Sequence, residues 1–188
     1  MDIKTKMAQS IVGTSSGRDG KDFYPTPPNA VHDLLSVELF NNWIWECACG
    51  SGAISRILWK KGYNTIDTDL YDYGCGESGI DFLTAKEVEY PFDYDIITNP
   101  PYNLAEKFLE KALLLRAEKV AFLLKLAFLE GQKRSKLLKS SPLKKVWVFS
   151  KRLTMTRNGE PQRSTGMIAF AWFIWEKNYI GSPTIGWL

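Results

Sequence analysis

Apolar and polar residues follow two patterns along the chain, one typical of strands and one typical of helices. Short apolar runs predict buried strands over residues 42–45, 64–68, 94–98, 119–126, 146–149 and 167–175. Apolar positions three and four residues apart predict helices over residues 29–39 and 104–116, and one through residues 54–58 that ends at Gly62. A short element is expected at 79–82, with loops at 128–145 and 151–166.

Strands that alternate with helices in this way predict an α/β fold, a doubly wound Rossmann-like domain. Its sheet is expected to be mostly parallel, with an antiparallel last strand, and to bind ligands at the carboxyl ends of the strands. Residues 23–188 are expected to form this single domain. Residues 1–22 are polar and contain Gly and Ser, so a flexible arm is expected there.

The composition argues against several classes of protein. The longest uninterrupted apolar run spans residues 167–175, far short of the roughly 20 residues that cross a bilayer. Three cysteines and one histidine are too few for a disulfide framework and lack zinc-ligand spacing, so no metal is expected. We expect a reduced, cytoplasmic protein whose catalysis does not use a histidine base, since His32 would have to act alone.

Charge is distributed unevenly, although the net charge is only +3. Residues 1–118 carry 11 Lys and Arg against 18 Asp and Glu, whereas residues 119–166 carry 12 Lys and Arg against 2 Asp and Glu. A local excess of this size is typical of a surface that binds a polyanion, and it favours nucleic acid as a partner. A solvated helix face followed by a basic loop would give the same count.

A glycine-bearing turn, Cys47-Ala-Cys-Gly-Ser-Gly52, joins a strand that ends at Glu46 to the next helix. Glycines let the backbone approach a ligand closely, and the start of a helix presents free N–H groups. Glu46 would attract a cation such as the ammonium of an amino-acid moiety, and Asp69 could accept hydrogen bonds from both hydroxyls of a ribose. These features predict a nucleotide-type site, although a tight strand–helix connection would contain the same glycines.

The four residues Asn99-Pro-Pro-Tyr102 directly follow an apolar strand. Two prolines fix a rigid extended loop, so the side-chain oxygen of Asn99 and the carbonyl of Pro100 can point at one position. A planar conjugated amino group needs such acceptors, because they pull its nitrogen toward tetrahedral geometry as an electrophile arrives. Tyr102 offers a stacking face. We therefore expect Asn99, Pro100 and Tyr102 to be catalytic.

Taken together, these segments resemble S-adenosylmethionine-dependent amino methyltransferases of the Asn-Pro-Pro-Tyr type, and are most similar to small N6-adenine DNA methyltransferases of phages and prophages. The similarity covers residues 23 to about 116 and continues more loosely toward the C-terminus. The matching segments, in order, are 23–28, 46–52, Asp69, Asp81-Phe82 and 99–102. One departure is Cys47, where the family usually has proline.

The resemblance implies S-adenosylmethionine as the cofactor. Glu46 and the turn would hold its methionine moiety, Asp81 would accept a hydrogen bond from its adenine N6, and Phe82 would pack on the adenine ring. Tyr24 and Thr26 would close the methionine end of the site. The residues implied in cofactor binding are Tyr24, Thr26, Glu46, Ala48, Gly50, Gly52, Asp69, Asp81, Phe82 and Asn99.

The motif leaves the substrate open, because a glutamine amide, adenine N6, cytosine N4 and guanine N2 are all planar, delocalised nitrogens. The Tyr-Pro-Thr-Pro-Pro segment, the roughly 40 residues before the glycine turn and the basic segment after the catalytic strand favour adenine in DNA. The alternatives are amino methylation of RNA or of a protein glutamine, and a methyltransferase-fold subunit that binds nucleic acid without turnover.

No separate target-recognition domain is apparent. Either the loops at 128–145 and 151–166 recognise a short sequence, or recognition is loose, or a partner supplies it; short or relaxed sequence specificity is expected. A base in duplex DNA would have to be flipped out of its stack at a cost of roughly a few kcal/mol, which phosphate contacts could offset. The candidates for these contacts are Lys133, Arg134, Lys136, Lys139, Arg152, Arg157 and Arg163, and the preferred ones are Arg152, Arg157 and Arg163 in the loop between the last two strands.

Overall fold

The computed structural model describes residues 24–86, 92–155 and 168–188. Its helices in these ranges are α1 (Pro28–Val37), α2 (Ser55–Lys60), α3 (Ala105–Leu114), α4 (Gln132–Ser140) and a 3-10 helix (Leu126–Leu129). Its strands are β1 (Trp43–Glu46), β2 (Asn64–Asp69), β3 (Glu77–Ser78), β4 (Tyr94–Thr98), β5 (Lys119–Lys125), β6 (Leu143–Val148), β7 (Phe170–Glu176) and β8 (Thr184–Trp187). In this part of the chain no helix is long and apolar enough to cross a bilayer.

All eight strands belong to one sheet in the order β3-β2-β1-β4-β5-β7-β6-β8. β7 runs antiparallel to both of its neighbours, and every other pair is parallel. The predicted fold class, a mostly parallel sheet with one antiparallel strand, is confirmed. β7 is followed by one more strand, β8, which pairs with β6 at the edge and had not been predicted.

Both faces of the sheet carry a hydrophobic core, as a doubly wound fold requires. β7 shows why, because six of its seven residues are buried and its side chains alternate between the faces. Trp172 packs with the core beside α1 and α2, and its indole N–H donates to the carbonyl of Ala30 at 2.8 Å. Phe173 and Trp175 pack with the core beside α3. Residues 1–22, expected as an arm, lie outside the described ranges.

Three local predictions differ from the structure. The expected loop at 128–145 contains α4, which has no buried residue and therefore gave no clear apolar periodicity. β6 begins three residues earlier than predicted, and the short element expected at 79–82 is a strand at Glu77–Ser78 followed by turns. The expected loop at 151–166 is described only as far as residue 155.

Candidate active site

The carboxyl ends of β1, β2 and β4 meet at one edge of the sheet, where they form a cavity of about 340 Å³. Four segments enclose it: residues 24–26, the turn after β1, the loop after β2 and the loop after β4. The predicted site residues that line it are Tyr24, Thr26, Glu46, Ala48, Gly50, Asp69, Asp81, Phe82, Asn99, Pro100 and Tyr102. Of the residues predicted to bind a cofactor or to act in catalysis, Gly52 alone does not line the cavity.

Gly52 shapes the turn instead. Its φ is +77°, a backbone conformation that residues with a side chain rarely adopt. A Cβ there would lie 2.5 Å from the Sγ atom of Cys75. Gly50 also has a positive φ, +52°. Its N–H donates to Oδ2 of Asp69 at 2.8 Å, which ties the turn to the end of β2.

Glu46 is the more deeply buried of the two buried acids that line the cavity, with 2% of its surface exposed. Its Oε2 accepts hydrogen bonds from the backbone N–H of Ser55, at 2.9 Å, and from the Ser55 hydroxyl. Burial raises the pKa of Glu46 well above its ordinary value, although the hydroxyl bond from Ser55 acts in the opposite direction. A cation brought against this carboxyl would offset the cost of burying its charge.

Asp69 ends β2 and is buried at the edge of the cavity. Its Oδ1 accepts from the backbone N–H of Tyr71 at 2.9 Å, and its Oδ2 holds Gly50. A carboxylate has about four acceptor positions, so Asp69 can still accept from ligand hydroxyls. The residue therefore fixes the shape of two loops and presents a carboxylate to the cavity.

Beyond Asp69, the cavity has an apolar slot with one acid at its side. Phe82 is buried and its ring lies 4.9 Å from that of Phe108, in a tilted contact. Asp81 accepts from the N–H of Leu83 at 3.0 Å. A ligand with a flat aromatic ring and exocyclic hydrogen-bond donors would match this combination of an apolar slot and an acid. This region is also lined by apolar and aromatic residues that were not predicted from the sequence, which are Leu70, Tyr71, Tyr73, Ile80, Leu104 and Phe108.

Asn99 follows β4, and its two amide atoms have different environments. The Nδ2 atom donates to the carbonyl oxygen of Tyr24 at 3.0 Å. The Oδ1 atom is buried and has no hydrogen-bond partner among the described residues. A buried acceptor without a donor costs about 1–3 kcal/mol, so this oxygen is suited to receive an N–H from a ligand.

Tyr102 lies in a small aromatic group rather than standing alone as a stacking face. Its ring is 6.0 Å from that of Tyr24 and 5.7 Å from that of Phe170, and the Lys125 ammonium lies 5.0 Å from its centroid. Burial is the main influence that raises the pKa of the Tyr102 hydroxyl, and the neighbouring Asn99 side chain acts in the opposite direction. The group therefore places the Lys125 ammonium beside a residue that lines the cavity.

The described basic residues of 119–155 lie at both edges of the sheet rather than together. Lys119 and Lys144, at the amino ends of β5 and β6, pair with Glu38 and Glu176 on the side away from the cavity. Arg134 and Lys133, at the start of α4, lie 3.9 Å and 3.1 Å from the Glu106 carboxylate, and the Arg134 guanidinium lies over the ring of Phe128. Lys136, Lys139 and Arg152 are exposed. Arg157 and Arg163 lie outside the described residues.

Comparison with known proteins gives a fold rather than a close relative. No family model and no curated protein matches the sequence. Among solved structures, PH1948 of Pyrococcus horikoshii, provisionally assigned as an RNA methyltransferase, matches over 94% of this chain and 99% of its own, with 18% identity and a TM-score of 0.61. The chain has the methyltransferase fold.

Two further structures share this fold. A class I S-adenosylmethionine-dependent methyltransferase of Listeria monocytogenes, also a provisional assignment, matches 98% of this chain and 72% of its own at 13% identity, with a TM-score of 0.55. The modification subunit of a provisionally assigned type I restriction enzyme of Vibrio vulnificus matches 96% of this chain at 11% identity, with a TM-score of 0.57. This chain spans 49% of that subunit.

Proposed function

We propose that this chain is an S-adenosylmethionine-dependent methyltransferase that acts on the N6 amino group of adenine in DNA, with short or relaxed sequence specificity. The observation that carries the proposal is the buried Oδ1 of Asn99 at the wall of the cavity, which accepts no hydrogen bond from the described residues. An exocyclic amino group would supply the donor that this oxygen lacks. The methyltransferase fold and the acids at the ends of β1 and β2 support the same proposal.

The residues of the cavity fit the proposed cofactor in chemical type. Glu46 would pair with the α-ammonium, Asp69 would accept from the ribose hydroxyls, and Asp81 with Phe82 would hold the adenine. The cavity's lining includes Gly50, which adopts a positive φ and has no side chain that would crowd a ligand. Bound there, the cofactor supplies an electrophilic methyl group on a positively charged sulfur.

The protein's own contribution to the reaction centres on the loop after β4. Asn99 Oδ1 and the Pro100 carbonyl would accept the two N–H bonds of the target amino group. This interaction strengthens as the nitrogen becomes tetrahedral, so it stabilises the transition state more than the bound substrate. The bond from Nδ2 of Asn99 to Tyr24 keeps the amide in this orientation before the substrate arrives.

A polyanionic substrate is supported by cations on the same side of the sheet as the cavity. Lys125 ends β5 and lies over the ring of Tyr102, while Lys133 and Arg134 follow at the start of α4. Phosphate contacts from these residues would hold a strand beside the loop after β4. Lys119 and Lys144 pair with acids at the opposite edge of the sheet, so they are poorer candidates than these three, of which Lys133 and Arg134 also lie close to the Glu106 carboxylate.

Identification of the labelled product tests the proposal. Purified protein is incubated with S-adenosylmethionine labelled in its methyl group, together with unmethylated DNA, matched RNA and lysate protein. We expect label in N6-methyladenine from DNA, and its loss in Asn99→Ala but not in Asn64→Ala, which alters an exposed asparagine at the start of β2. Label in RNA or in glutamine would show that the substrate is RNA or protein rather than DNA. Cofactor binding without any label would support a non-catalytic subunit.

A further inference from the structure

Glu46 and Asp67 lie side by side on two neighbouring strands. β1 and β2 are parallel, and Glu46 is opposite Asp67 in their register. Residues paired in this way have side chains on the same face of the sheet, on strands about 5 Å apart. Ser55, fully buried at the start of α2, contacts both carboxyl groups. The three side chains form one cluster, of which Glu46 lines the cavity and Asp67 does not.

The contacts in this cluster need more hydrogens than the serine carries. The Oγ atom of Ser55 is within hydrogen-bond distance of Oε2 of Glu46 and lies 2.6 Å from Oδ1 of Asp67. A hydroxyl has one hydrogen, and ionised carboxylates can only accept. Both contacts are therefore hydrogen bonds only when one of the two carboxyl groups carries a proton.

The hydrogen bonds outside the cluster do not supply this missing proton. The indole N–H of Trp59 can only donate, and it donates to the hydroxyl of Thr65. The hydrogen of Thr65 is then donated to Oδ2 of Asp67, 2.6 Å away. Asp67 thus accepts at Oδ2, and its Oδ1 faces Ser55.

We propose that Glu46 and Asp67 share one proton through the hydroxyl of Ser55, and that a cation bound against Glu46 expels it. The second half rests on the proposed function, in which that cation is the α-ammonium of the cofactor. When it binds, the O–H bond of the protonated carboxyl breaks, and the proton leaves to water by way of the half-buried Asp67. Ser55 keeps its own hydrogen and donates it to Glu46. Ser55 and Asp67 are thus positioning residues that act through Glu46.

The surroundings of Glu46 favour retention of a proton in the absence of a cation. Burial is the largest influence that raises the pKa of Glu46, and the charges of Asp67 and Asp69 raise it further. The titratable groups near it from β2, the turn and the following loop are Asp67, Asp69, Cys47, Cys49 and Cys75. Packed on the same face, α1 and β4 contribute the apolar Ala30, Val31, Leu34 and Ile97.

Titration of the free protein tests the shared proton without any ligand. In protein labelled with ¹³C at the side-chain carboxyls, we expect the Glu46 resonance to titrate well above the ordinary range of glutamate. Asp67→Asn removes the second acid and supplies an NH₂ group that can donate to Ser55, so the midpoint should fall. A wild-type Glu46 that titrates in the ordinary range overturns the proposal.

Calorimetry tests the expulsion of the proton. S-adenosylhomocysteine, which retains the α-ammonium, is titrated into the protein in buffers with different ionisation enthalpies. At pH values below the raised pKa of Glu46, we expect up to one proton released per ligand and an affinity that rises with pH, by at most about tenfold per unit. Asp67→Asn should reduce both effects, because the charge of Asp67 is removed while the burial of Glu46 remains. Asp72→Asn, which removes an exposed carboxylate from the loop after β2, should leave both unchanged.

The outcomes separate this proposal from the proposed function. Binding of S-adenosylhomocysteine without proton release, or with equal release in Asp67→Asn, overturns the shared proton and leaves the methyltransferase proposal standing. If the ligand does not bind to any variant, the proposed function fails, and the carboxyl titration of the free protein still decides whether Glu46 and Asp67 share a proton.

Discussion

The side-chain N–H of Asn99 donates to the backbone carbonyl of Tyr24 at 3.0 Å, across 75 positions of sequence. This bond joins the loop after β4 to the extended segment before α1, so two walls of the cavity meet at Asn99. Because Nδ2 of Asn99 is the donor in this bond, Oδ1 is the side-chain atom that can accept a hydrogen bond from a ligand. The orientation of the proposed catalytic oxygen is therefore built by a residue far away in the sequence.

The first prediction separates catalysis from cofactor binding at Asn99. Asn99→Ala removes the acceptor for the target amino group, and we expect the rate of methyl transfer to fall by about 10²–10³. The acids that would bind the cofactor are unchanged, so its Kd should stay within about tenfold. Single-turnover kinetics and calorimetry measure the two quantities. An equal loss of both would show that Asn99 acts through the cofactor site alone.

The second prediction concerns the turn after β1. Gly52→Ala and Gly62→Ala both place a side chain at positive φ, at +77° and +89°, which costs about 1–2 kcal/mol each. Only at Gly52 does the new Cβ also meet an atom, Sγ of Cys75 at 2.5 Å, whereas at Gly62 nothing lies within 4 Å. Gly52→Ala should therefore be the more destabilising change in urea unfolding.

Removal of the clashing sulfur provides the control for that comparison. Adding Cys75→Ala to Gly52→Ala should recover the part of the lost stability that comes from the clash with the sulfur. The part that comes from the positive φ should remain. Cofactor affinity should fall in Gly52→Ala and stay unchanged in Gly62→Ala, which lies at the far end of α2. Equal free energies of unfolding for the two single variants would contradict the steric account.

The third prediction concerns substrate binding by Lys125. If its ammonium, 5.0 Å from the ring centroid of Tyr102, contacts a phosphate, Lys125→Gln should weaken DNA binding. The slope of log K against log salt concentration should also fall by about 1. Lys145→Gln is the matched control, because Lys145 lies over an aromatic ring in the same way, 4.6 Å from the centroid of Trp147, but near the amino end of β6. Fluorescence anisotropy with labelled DNA measures both. Equal slopes for the two variants would remove Lys125 from the DNA-binding surface.

The parts of the site that could be predicted are those at strand ends. A polar residue that follows an apolar strand must lie at the carboxyl edge of a parallel sheet, and this placed Glu46, Asp69 and Asn99 together. The other wall could not be predicted in the same way. Leu70 and Ile80 reach the cavity only because the loop after β2 folds over it, and no periodicity encodes that path.

The basic segment shows a different limit of sequence counting. Lys119 forms an ion pair with Glu38, 81 positions earlier in the sequence, and accordingly a count of acids within 119–166 could not include its partner. β8 was missed for a related reason. It is a short edge strand whose Ile185 and Trp187 are exposed, so it lacks the buried apolar run that identified the central strands.

The last prediction concerns the stability cost of Glu46. Burial raises the pKa of this carboxyl in the folded protein above its ordinary value, so the folded state binds the proton more tightly than the unfolded chain does. Stability must then fall as the pH rises from the ordinary pKa, about 4.3, toward the raised one. Glu46→Gln cannot ionise. We therefore expect it to be more stable than wild type at pH 7.

This difference should shrink as the pH approaches 4, because the wild-type carboxyl is then neutral as well. Urea unfolding at a series of pH values measures it. Glu110→Gln, on the exposed face of α3, should change stability little at any pH. The stabilised Glu46→Gln variant should also lose cofactor affinity, since a neutral amide cannot pair with the α-ammonium. A Glu46→Gln protein that is less stable than wild type at pH 7 would show that the Glu46 carboxyl stabilises the fold. Its burial would then have no free-energy cost that a bound cation could offset.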